Sequence, residues 1–124
     1  MGKYSSLIPV LNAVEATTTS SAFSIEGAEK VILVYQRSAH GSGKTVFSAT
    51  VSVDGVNYIT YNKWLTNVAN TNGEMQTRVA SVTSGAANVT GMLTMSPEDG
   101  FKDIKVTATE TTDGTHSAWL LIEY

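Results

Sequence analysis

The sequence has no cysteine, only two prolines, and charge on just 15% of its 124 residues. Without cysteine, disulfides and thiolate metal sites are excluded, and stability has to come from a core. Lys and Arg number eight against eleven Asp and Glu, a net charge of −3 with no run of one sign. That lacks the basic footprint of a nucleic-acid binder, and none is expected to bind. No apolar run approaches the ~20 residues of a membrane-spanning helix, so no membrane association is expected. The apolar stretch 7–14 is interrupted by Pro9 and Asn12, and no small-residue cleavage site follows it. It is therefore not read as a secretory leader, and the chain is expected to be soluble and leaderless.

What is abundant is threonine and valine, 17 and 13 residues respectively. β-Branched side chains are stiff at χ1 and suit a pleated surface better than a helix. Gly and Asn fall in clusters between the apolar stretches, the profile of many short strands joined by turns. The length fits one domain over residues 1–124, enough to bury roughly two thirds of the unfolded surface.

Period-two alternation locates the strands. Phe47, Ala49, Val51 and Val53 point one way and Ser48, Thr50 and Ser52 the other, ending at Asp54-Gly55, a pair suited to a tight reversal. Ile104, Val106 and Ala108 alternate with Lys105 and Thr107. After a turn at Asp113-Gly114, Ala118, Leu120 and Ile122 share one face, with Trp119 and Leu121 on the other. The continuous run Val31-Ile32-Leu33-Val34-Tyr35 predicts a strand covered on both faces or shared with a partner. Residues 10–23 read as one bent strand or two short ones, 57–61 as a return strand, and 74–83 and 88–95 as two more. Residues 62–73 read as a long loop with at most one helical turn, and 1–14 as an N-terminal arm. About eight strands at this spacing predict an all-β fold, a single antiparallel β-sandwich of jelly-roll type.

Motifs of catalysis or metal binding fail on context. Gly41-Ser42-Gly43-Lys44-Thr45 resembles the end of a phosphate-binding loop, but position 38 is Ser and a strand follows instead of a helix. His40 and His116 lack metal-ligand spacing and read as loop or strand-surface residues. Glu98, Asp99 and Asp103 surround Gly100, yet no recognised calcium-loop spacing is present. No nucleophile elbow frames a serine, and no carboxylate pair is selected. Asn88-Val89-Thr90 matches a glycosylation sequon and reads as accidental. The expectation is no catalytic, metal or cofactor site. Tyr58, Tyr61 and Trp64 cluster near one strand end, where they serve as a stacking platform, an interface anchor or a plug for the core.

Residues 47–58 (Phe-Ser-Ala-Thr-Val-Ser-Val-Asp-Gly-Val-Asn-Tyr), the triplet Tyr61-Asn62-Lys63 and residues 101–115 together resemble small β-sandwich proteins encoded among the virion genes of tailed bacteriophages. The likeness runs from Glu29 to Tyr124. It implies a non-enzymatic virion component, of capsid decoration or tail-associated type, that forms homo-oligomers and binds the major capsid protein or another virion protein. On that resemblance the candidate interface residues are Tyr4, Leu7, Ile8, Tyr58, Tyr61, Trp64 and Trp119. The arm 1–14 would reach a neighbour, and the second apolar faces near Val31 to Tyr35 and Trp119 to Ile122 would meet one. The same hairpin is also similar to jelly-roll carbohydrate-binding and discoidin-like domains. That likeness implies the alternative, a glycan-binding or adhesion module.

Overall fold

Buried and exposed residues alternate along the long strands and sort the chain into two layers. This computed structural model describes residues 5–38, 44–66, 78–84, 89–95, 100–110 and 114–124. Its strands are β1 (Ser5–Val14), β2 (Thr18–Thr19), β3 (Phe23–Ser24), β4 (Lys30–Ser38), β5 (Thr45–Ser52) and β6 (Ile59–Thr60). They continue as β7 (Trp64–Thr66), β8 (Arg78–Val79), β9 (Ser81–Ser84), β10 (Val89–Met95), β11 (Asp103–Glu110) and β12 (Thr115–Glu123). The first sheet has the order β1-β12-β4-β10-β7-β8. The second has β2-β11-β5-β6, with β3 also on β11 and β9 also on β5. All these pairings are antiparallel.

The topology becomes simple once β2 and β3 are taken as halves of one strand, since both pair with β11. The short β6, β7 and β8 belong to the excursion between β5 and β9. Eight principal strands remain. The first pairs with the last (β1 with β12), and the second with the seventh (β2 and β3 with β11). The third pairs with the sixth (β4 with β10), and the fourth with the fifth (β5 with β9). A single long hairpin ribbon folded over itself gives these pairs, and that is the wrapping of a jelly roll. The predicted all-β antiparallel sandwich is the observed fold.

The core lies between the sheets. β4 contributes Val31, Leu33 and Tyr35, and β12 contributes Ala118, Leu120 and Ile122. Facing them are Phe47, Ala49 and Val51 of β5 and Ile104, Val106 and Ala108 of β11, all buried. Large and small residues complement each other across rungs. Tyr35 is paired with Ala118 on one side and Gly91 on the other. A Cβ at Gly91 would land on the Tyr35 ring, so the missing side chain is what lets that ring lie over β10. Tyr35 then packs on Phe47 of the opposite sheet, centroids 5.0 Å apart.

Three expectations need correction. Residues 5–14 are not an arm. They form an edge strand on β12, because Leu11 is buried and Ile8, Val10 and Val14 pack on the core. The interruptions at Pro9 and Asn12 are absorbed by register shifts, and Ala13 takes a positive φ of 51°. Within 62–73, Trp64–Thr66 is a strand on β10, drawn in by burial of Trp64; residues 67–73 lie outside the described set. The single strand read over 74–83 divides at Ala80: Arg78–Val79 pairs in the first sheet and Ser81–Ser84 in the second.

Candidate functional site

The outer faces of the two sheets differ sharply. On the second sheet the outward residues form hydroxyl rungs: Thr19, Thr107, Ser48 and Ser81 in one, Lys105, Thr50 and Thr60 in the next. Thr19 and Thr107 share a hydrogen bond of 2.9 Å. On the first sheet the same pleat positions are apolar. One rung runs Leu7, Leu121, Ile32, Thr94, Leu65, and the next runs Pro9, Trp119, Val34, Met92. Leu7 and Met92 are 62% and 43% exposed, and Trp119, Val34, Ile32, Leu121 and Leu65 are half-buried. Polar groups flank these rungs. Ser117, Gln36 and Thr90 bound one side, with Gln36 Nε2 donating to Thr90 Oγ1 at 3.3 Å, and Lys30 stands opposite Glu123 on the other. An apolar centre within a polar rim is the anatomy of a protein interface.

A second surface feature is the hairpin after β5. Its Asp54 carboxylate accepts hydrogen bonds from the backbone N–H groups of Val56 and Asn57, from Asn57 Nδ2 and from the Ser52 hydroxyl, each at 2.7–2.8 Å. Ser52 Oγ in turn accepts from the N–H groups of Asp54 and Gly55. The backbone bond from Asn57 leads the effects that hold the Asp54 pKa far below the usual carboxylate range. Gly55 has φ 78°, which this turn requires. The rigid loop displays Val53, Val56 and Ile59, all more than 60% exposed. Tyr58 lies beneath Lys105, whose Nζ is 4.2 Å from the ring centroid. Partial desolvation, followed by the Asp103 carboxylate, pushes the Tyr58 phenol pKa upward.

Of the predicted interface residues, Tyr4 lies outside the described set. Leu7 and Trp119 share the outer face of the first sheet, whereas Ile8 packs on the core. Tyr61 and Trp64 are corrected: they are 4% and 0% exposed and stack edge-on at 5.0 Å, with Phe101 against Tyr61 at 5.7 Å. Burying three large rings closes one end of the sandwich and leaves Tyr58 alone outside. Sequence reasoning missed Pro9, Leu65 and Met92. The run Val31 to Tyr35 carried a signal for Val34, but the others are joined to it only by sheet register.

At the other end, polar groups are buried. Arg37, Thr45 and His116 are all 0% exposed, so the surface role expected of His116 is replaced by a core one. The Thr45 hydroxyl lies 3.1 Å from His116 Nδ1, and Glu110 Oε1 lies 3.7 Å from Nε2. The order hydroxyl, imidazole, carboxylate is that of a nucleophilic triad with the two ring nitrogens exchanged and the carboxylate beyond hydrogen-bond reach, and Thr45 has no exposed surface to meet a substrate. Desolvation holds the imidazole pKa below its ordinary value, with Glu110 raising it and Arg37 lowering it again. Gly114 has φ 127°, and a Cβ there would sit 2.9 Å from Arg37 Nε, so the cluster needs glycine at that position. Thr45 opens β5, which rules out the helix that a phosphate-binding loop requires. Glu98, Asp99, His40 and Asn88 lie outside the described residues.

No family model matches the chain, and no curated protein does. Among solved structures, the crystal structure of SPBc2 prophage-derived protein YomS is similar, with a TM-score of 0.71 at 8% identity. The match covers 100% of this chain and 96% of that one. At that identity the likeness establishes a shared fold along the entire chain.

Proposed function

We propose that this chain is a non-enzymatic structural protein of a bacteriophage particle, a capsid decoration or stabilising protein that self-assembles and binds capsid subunits. The observation that carries the proposal is the apolar outer face of the first sheet, set in a fold whose second outer face is hydroxyl-rich. A monomer with no contact to make gains nothing from a tryptophan and six aliphatic or methionine side chains on one outer face. The end-to-end match to a prophage-derived protein adds support, as does the resemblance of residues 47–58 and 101–115 to virion β-sandwich proteins. The burial of Thr45 speaks against the one triad-like arrangement as a hydrolase.

In a particle, a small rigid sandwich works by number. Symmetry repeats each weak contact, and avidity multiplies them. The outer face of the first sheet and the 53–59 hairpin lie on different parts of the molecule, which gives it one surface for its own kind and one for the shell. The test is to purify particles made with and without this chain. Mass spectrometry of washed particles should find it at tens to hundreds of copies, and particles lacking it should lose integrity at lower temperature. Its absence from washed particles would refute the proposal.

The glycan-binding alternative retains one observation, Tyr58 on its rigid hairpin beneath Lys105. With Tyr61 and Trp64 inside the core, it has lost two of the three rings of its platform. Tyr58→Ala abolishing binding on a glycan array would favour it.

A further inference from the structure

Resting on the assembly proposal above, we infer that the outer face of the first sheet is occupied by a second copy of this chain, packed face to face about a two-fold axis near Val34. Three observations point to a copy of itself.

The first is size. Five strands, β1, β12, β4, β10 and β7, carry the apolar rungs. At about 4.8 Å per strand and 3.4 Å per residue, the face with its polar rungs projects to roughly 700 Å². Doubled by symmetry this is roughly 1,400 Å², inside the ~1,200–2,000 Å² total of stable protein pairs.

The second is charge. The apolar rungs contain no charged residue. Lys30 and Glu123 stand opposite each other across β4 and β12 at one rim, and Arg78 of β8 stands beside Leu65 at the end of the other apolar rung. A two-fold related copy presents the same pair, so a Lys meets a Glu where the rims cross. A strongly basic partner would find a single carboxylate here, Glu123, and a strongly acidic one only the two separated cations.

The third is the edge. The long edge strand β1 is interrupted by Pro9 and two register shifts, and the other edge strands, β2, β3, β6, β8 and β9, are two to four residues long. Proline and bulges are the devices that stop edge pairing. Association through the face is what remains open, as two sheets about 10 Å apart with interdigitating side chains.

The experiment uses the intact chain. Light scattering at micromolar concentration should give twice the 13.2 kDa chain mass. Met92→Glu and Leu7→Glu alter side chains already in water, so folding is spared, and circular dichroism checks this. Each should raise the dimer dissociation constant about 100-fold or more, because both copies would bury the charge. Val56→Glu, on the hairpin, should leave it unchanged. Because the sequence has no cysteine, Val34→Cys places a single thiol at the axis. A bis-maleimide spanning about 10 Å, the separation of packed sheets, should link two such chains and should fail with Thr107→Cys on the opposite sheet. A monomer at 100 micromolar, a dimer indifferent to Met92→Glu, or equal cross-linking from Thr107→Cys would overturn the inference. A monomer found on particles would sink this interface and leave the virion proposal standing. A face-to-face dimer absent from particles would do the reverse.

Discussion

Replacing Gly91 by alanine adds one methyl group, and two effects of opposite sign meet there. In a strand interior, alanine is favoured over glycine by roughly 0.5–1 kcal/mol, because glycine loses more backbone freedom on folding. Against this, the new Cβ would land on the Tyr35 ring, which is 8% exposed and held between Ala118, Gly91 and Phe47. Overpacking of a close-packed core costs about 1–3 kcal/mol. Displacing the ring also weakens its contact with Phe47, about 0.5–1.5 kcal/mol beyond area burial. The clash wins, and Gly91→Ala should destabilise the fold by about 1–3 kcal/mol. With Tyr35→Ala already in place there is no ring to strike, so the same methyl should be neutral or mildly stabilising. Urea unfolding of the four proteins, followed by tryptophan fluorescence, gives the cycle. A coupling of about 2 kcal/mol is expected. If the two changes add within about 0.5 kcal/mol, Tyr35 does not depend on the empty space at Gly91.

Trp64→Ala should cost about 3–5 kcal/mol, as befits a fully buried ring. Trp64→Phe should cost less, because the buried indole N–H finds no hydrogen-bond partner among the described residues. Urea midpoints test both, and a Trp64→Ala protein of unchanged stability would return that ring to the surface. For His116 the folded pKa lies below 6.5, so the unfolded chain binds the proton first. Its stabilising contribution is complete above about pH 6.5 and is lost as pH falls from there toward the folded value, with a slope of at most about 1.4 kcal/mol per pH unit. His116→Gln should flatten the stability profile between pH 7.5 and 5, and an unchanged slope would clear His116 of the effect. Asp54→Ala removes the carboxylate that accepts from the Val56 and Asn57 N–H groups and from Asn57 Nδ2. Amide exchange at Val56 and Asn57 should accelerate at least tenfold while that of β4 and β12 stays fixed, and protection retained at both amides would contradict the role given to Asp54.

The sequence made the ribbon legible where side-chain period and turn chemistry agree. Residues 45–52 alternate cleanly and end at Asp54-Gly55, and the structure places β5 and its reversal there. Residues 103–110 and 115–123 form the second clear pair of strands. What the sequence hid depends on distant partners. Arg37 and His116 look like surface residues until register sets them opposite each other inside the sandwich. Ala80 carries no sign that the chain changes sheets beside it. Trp64 sits in an asparagine-rich stretch that reads as loop, and only its burial against Tyr61 draws three residues into a strand. The outer apolar face was legible in part. Trp119 and Leu121 announce it by alternation, whereas Pro9, Met92 and Leu65 join it only through pairing across the sheet.

A chain rich in threonine and valine, poor in charge and nearly free of proline has the composition of a fibril former. One of its two prolines lies in the outermost strand of the first sheet, where the ladder also slips twice and Ala13 is forced out of the extended region. At high local concentration, an unbroken ten-residue border would offer itself as a template to every newly made copy. The kinked border denies that nucleus, so crowding of folded copies does not by itself seed amyloid.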